Sequence, residues 1–121
     1  MDDIKPSQTV LMNEDALFDA LRRLRDQARR ATGDDLDQIQ ALRGEINRRL
    51  DLLLGLDMAE IDQDPKVRDA TQRLAVLTVQ VGAAVKEMRT VKSAIQQATK
   101  VIGLADELLG LIGLIAPAAV L

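Results

Sequence analysis

The chain contains no cysteine, no histidine, no tryptophan and no tyrosine. Each absence removes a class of chemistry. Without cysteine there is neither a disulfide nor a thiolate nucleophile. Without histidine the commonest general base, the commonest side-chain metal ligand and the ordinary pH switch near neutrality are lost together. Phe18 is the single aromatic residue, so a stacking platform for nucleic-acid bases is missing. The aromatics that favour strands are missing too. The seven glycines are scattered and form no phosphate-binding loop.

What remains is aliphatic and charged. Hydrophobic residues make up 47% of the 121 positions and charged residues 29%, a balance that can bury a core and argues against disorder. That core has to be built from Leu, Ile, Val, Ala and Met, the side chains that fill helix bundles and coiled coils. The expected fold is all-α: an elongated helical hairpin or three-helix bundle with one long C-terminal helix carrying a heptad pattern. Residues 1–12 read as a flexible arm and residues 13–121 as a single helical domain. The arm is acidic at its start and has no apolar run of the secretory kind, which suggests a cytoplasmic protein or a peripheral membrane one. Val10, Leu11 and Met12 offer the arm a docking patch.

Three helices can be drawn. The first spans about residues 14–31, with Asn13 as its cap and Leu17, Leu21, Leu24, Ala28 and Ala31 along one face. Gly33 is a natural stop. The second spans about 35–56, with Leu36, Ile39, Leu42, Ile46, Leu50 and Leu53 as its stripe. Asp64 and Pro65 announce the third, over about 65–115. Along it Val67, Ala70, Leu74, Leu77, Val81, Ala84, Met88, Val91, Ile95, Ala98, Ile102, Ala105, Leu109 and Ile112 recur in steps of three and four, a coiled-coil period. A continuous helix of that length extends roughly 75 Å. The second helix covers only about half of it, so the far half calls for another partner.

Two segments stand apart. Residues 74–85 carry no charge, and Val76, Val79 and Val85 lie off the seam, so this stretch is expected to be buried on more than one side. Residues 108–121 form an uncharged apolar tail interrupted by Pro117. Charge is also unevenly spread: residues 1–65 sum to −6, residues 66–100 to +5 and residues 101–121 to −2.

These patterns lead to a non-enzymatic interaction protein that self-assembles through its third helix. Met88, Val91, Ile95, Ala98, Ile102, Leu109 and Ile112 are the expected oligomerisation positions. The partner would be a second copy or another helical protein. The alternative is a membrane-active protein, a small pore former or peripheral anchor. There Leu108, Leu111, Leu114 and Ile115 would meet lipid, and Lys86, Arg89, Lys92 and Lys100 would supply a basic surface for an anionic leaflet. Nucleic acid is disfavoured, because the first helix interleaves its arginines with acids and the chain is acidic overall. Asp57, Asp62 and Asp64 lack the spacing of a calcium loop and read as turn and capping residues. No cofactor, metal site, catalytic residue or small-molecule substrate is expected.

Overall fold

The computed structural model describes residues 5–115, with side-chain surroundings through residue 113. Helices run Pro6–Ala28 (α1), Gly33–Leu54 (α2), Met58–Gln63 (α3), Pro65–Asp69 (α4), Thr71–Lys86 (α5) and Val91–Ile115 (α6). There is no strand among the described residues, and the all-α expectation holds.

The third helix differs most from expectation. It is interrupted by a hitch at Ala70 and then by a full reversal at residues 87–90, so α6 packs back along α5. The reversal has a local cause. The Thr90 N–H donates to Ser93 Oγ at 2.9 Å, and the Ser93 N–H donates to Thr90 Oγ1 at 3.1 Å. This reciprocal pair is a capping box with serine in the place of the usual glutamate. It starts a new helix in the middle of an unbroken heptad pattern. Gln27 Nε2 at the end of α1 donates to the Arg89 carbonyl at 3.2 Å, and Met88 is buried beneath the turn.

Four long helices therefore share one core. α1 packs beside α2 and α5, while α6 packs beside α2 and α5; α1 and α6 meet only weakly across the diagonal. The neighbours α1 and α5 run parallel, because Asn13 meets Thr78 near one end and Gln27 meets Arg89 near the other. α2 and α6 run parallel on the opposite side. Parallel neighbours require the α2–α5 connection to cross the base of the bundle. The short helices α3 and α4 make that crossing, and each begins at an aspartate. Asp57 accepts from the Glu60 N–H at 3.1 Å and Asp64 from the Lys66 N–H at 2.8 Å. Asp62 serves a third helix from a distance of 55 residues: its carboxylate accepts from the Ser7 N–H at 2.9 Å and the Ser7 Oγ at 2.7 Å, tying the start of α1 to the base.

α1 begins at Pro6 rather than near residue 14, so most of the expected arm is its first two turns. Proline suits that first position because its missing N–H has no helical partner to lose. Val10 is buried, while Leu11 and Met12 stay exposed. Asn13 is not a cap but a buried mid-helix residue. Gly33, at φ 58°, turns the chain into α2. A Cβ there would meet nothing within 4 Å, so backbone conformation rather than space selects glycine.

The core is aliphatic, as composition required. Leu17, Leu24, Ile39, Ile46, Leu50, Leu53, Leu74, Leu77, Leu108 and Ile112 are essentially inaccessible, each worth about 1.5–3 kcal/mol of transfer free energy. On α6 the fully buried stripe is Ala94, Ala98, Val101, Ala105, Leu108 and Ile112. The heptad spacing survives, but alternate positions are one residue earlier than the pattern running in from α5. Val91, Ile95, Ile102 and Leu109 flank that stripe and pack against the core. A helix wedged between two neighbours buries a broader arc than a coiled-coil seam does.

Candidate functional site

The expected oligomerisation positions are occupied inside the chain. Met88, Ala98 and Ile112 are buried in the bundle's own core, and Val91, Ile95, Ile102 and Leu109 lean on it. The reversal at residues 87–90 gives the far half of the old third helix its partners, α2 and α5. The length mismatch that called for an outside partner is thereby removed.

The apolar tail is partly absorbed in the same way. Leu108 is fully buried and Leu111 packs against the core. Leu114 and Ile115 belong to α6, but their side chains lie outside the described surroundings, as do residues 116–121 altogether. Lys86, Arg89, Lys92 and Lys100 are all exposed. Lys86, Arg89 and Lys92 sit where α5 turns into α6, about 35 Å along α6 from its far end, and Lys100 lies between. No described helix is long and apolar enough to cross a membrane.

The surface that stands out is on α5. Gln72, Val76, Val79, Ala83 and Lys86 follow one another in steps of four and three and are all exposed, which places them on a single outward stripe. Val76 is 44% exposed and Val79 68%. No charge occurs between Arg73 and Lys86. On the same helix Leu74, Leu77, Thr78, Val81, Ala84 and Val85 are buried. Val85 therefore meets the expectation of burial beyond the seam, whereas Val76 and Val79 do not. Ala75 and Gly82 edge the stripe on one side and are half-buried. A Cβ on Gly82 would meet nothing within 4 Å, so the ground beside it is open.

On the stripe's other edge Arg73 reaches Glu107 of α6 at 3.3 Å. Both side chains are more than half exposed, and such a pair contributes little. Beneath it Leu77, Gly110 and Leu111 line a shallow groove of about 330 Å³ between α5 and α6.

The inner side of α5 is held by neutral polar groups. Asn13 Nδ2 donates to Thr78 Oγ1 at 2.7 Å, and the Thr78 hydroxyl donates back to its own helix at the Leu74 carbonyl, 2.9 Å. Asn13 Oδ1 has no partner. Close by in sequence, burial pushes the Glu14 carboxyl above its ordinary value, with the Asp15 charge adding to the effect. The opposite parallel pair uses ions instead. Arg49, 8% exposed, donates from Nε to Asp106 at 2.8 Å and from Nη1 to Glu45 at 2.6 Å. Hydrogen bonds from Arg49 and Arg48 hold the Glu45 carboxyl below its usual range. The bond to Asp106 raises Arg49 further.

Sequence reasoning noted the missing charge on residues 74–85 but not that a third of that segment would face outward. The spacing of Gln72, Val76, Val79, Ala83 and Lys86 was the available signal. The Thr90–Ser93 box was likewise visible beneath the heptad. Among the described residues no group of three or more acidic side chains gathers as metal ligands would.

Fold and surface together define, among the described residues, an all-α four-helix bundle with parallel neighbours and an outer face of α5 that carries no charge between Arg73 and Lys86. No protein-family model, no curated protein and no solved structure matches the chain.

Proposed function

We propose that this chain is a non-enzymatic helical interaction module that assembles through the outer face of α5. One observation carries the reading: an exposed helical stripe whose valines stand in solvent with no charge between Arg73 and Lys86. A solvated helix face is ordinarily rich in charge, and depletion of charge marks the centre of protein interfaces. The seam of the old third helix holds the bundle together; its opposite face is the part left to meet a partner.

Sedimentation velocity across a concentration series tests this, comparing the full chain with Val79→Glu. Concentration-dependent association that Val79→Glu abolishes, with unchanged helical content, supports the reading. Association that survives Val79→Glu overturns it.

Membrane binding through residues 108–121 is the rival. Its support is the uncharged sequence of that segment, and the burial of Leu108 and Ile112 weighs against it. Pelleting with anionic liposomes by the full chain, lost on truncation after Glu107, would favour it.

A further inference from the structure

We infer that the partner of the α5 face is a second copy of this chain, docked antiparallel about a two-fold axis near Gln80. The inference rests on the reading of α5 as the assembly face. It follows from the order of residues along the helix. In an antiparallel pair with Val79 of each copy against Ala83 of the other, the two outward stripes interleave with no charge at their centre. Val76 then lies against the aliphatic stem of Lys86 from the other copy, whose ammonium can reach solvent.

The edge residues give the pairing its direction. Arg73, Gln80 and Glu87 recur at intervals of seven along the edge nearest α6, and all three are exposed. Antiparallel docking about Gln80 brings Arg73 of each copy opposite Glu87 of the other, making two equivalent ion pairs, with Gln80 facing Gln80. A parallel two-fold arrangement would instead set that edge against Ala75 and Gly82 of the other copy, where no Arg73–Glu87 pair can form. The two ion pairs are available only to the antiparallel form, and the edge selects it. Arg73 is available because its bond to Glu107 is long and exposed. The opposite edge, Ala75 and Gly82, is small enough for two helices to approach closely. A two-fold contact closes on itself, so the product is a dimer and not a filament. A face of four helical turns is small, and the dimer belongs to the weak class of interfaces.

The chain lacks cysteine, which makes a cross-linking test clean. Gln80→Cys in the full chain should give disulfide-linked dimers under mild oxidation, and Gln40→Cys, exposed on α2, should not. In sedimentation, Arg73→Glu alone should weaken the dimer roughly tenfold, since two attractive pairs become two repulsive ones. Adding Glu87→Arg to the same chain should restore it. Three results overturn the inference: monomer at every concentration, no selective Gln80→Cys cross-link where a dimer is present, or failure of Glu87→Arg to rescue. The outcomes are separable. Dimerisation that is lost with Val79→Glu but shows neither cross-link nor rescue removes the antiparallel geometry and leaves the assembly face in place. Dimerisation indifferent to Val79→Glu removes the face itself.

Discussion

α5 and α6 come from one uninterrupted heptad pattern, yet they use their surfaces differently. α6 turns Ala94, Ala98, Val101, Ala105, Leu108 and Ile112 inward and keeps Lys92, Lys100, Asp106 and Glu107 in solvent. α5 buries a comparable stripe but presents Val76, Val79 and Ala83 on its far side. The apolar period alone reports that a helix packs. The opposite face reports whether the rest of it is meant for water. Where charge is missing from that face, as on α5, apolar side chains remain outside the core that the bundle buries.

The comparison can be broken most severely on α6. Leu108→Ala removes a fully buried side chain and is expected to cost about 3 kcal/mol. Urea unfolding followed by circular dichroism would measure it, and a loss below 1 kcal/mol would mean that α6 is not seated as described. Next comes the ion pair that locks α6 to α2. Asp106→Asn leaves the buried Arg49 guanidinium with a weaker acceptor. A loss of about 1–2 kcal/mol is expected, moderated because the aspartate itself is half in solvent. Glu45 titrates in the same cluster. Its carboxyl is held below the ordinary value, so its contribution is present above about pH 4.5 and should fade as pH falls below that. Arg49→Met should flatten this acid limb in a pH series.

The break between the two helices is tested by Thr90→Ala. It deletes one half of the capping box and should cost about 1 kcal/mol; an unchanged midpoint would shift the cause of the reversal to tertiary packing alone. Glu14→Gln probes the reverse sign of titration. Glu14 is raised by burial, so the native chain loses stability as pH climbs from about 4.5 through that raised value. The variant should gain a fraction of a kcal/mol at pH 7 and lose that slope. The smallest effect is expected on the outer face of α5. Val79→Ser should change stability by less than about 0.5 kcal/mol because the valine is 68% exposed, and a larger loss would place Val79 in the core.

How much was legible in the residues depends on range. The aliphatic composition, the absence of aromatics beyond Phe18, the stripes of the first two helices and the Asp64–Pro65 start all appear in the fold. They rest on local rules: helix periodicity, capping and the fixed φ of proline. Asn13 misled for the same reason. A good capping residue next to Glu14 and Asp15 reads as a helix start, but its side chain is spent on Thr78, 65 residues away. The arm was misjudged because Asp62, 55 residues away in sequence, holds the start of α1 at Ser7.

The sequence by itself determined that the chain is helical, that its core is aliphatic, and that the segment after Asp64 has more apolar surface than one seam can bury. Tertiary structure decided where that segment turns. A heptad repeat is the same whether its partner lies on another chain or on the same chain reversed, because burial is non-directional. The choice was made by a four-residue turn: the Thr90–Ser93 box gives α6 a start, Gln27 of α1 holds Arg89, and α2 offers the matching stripe. Only when those distant parts meet is one face of α5 consumed and the other left open.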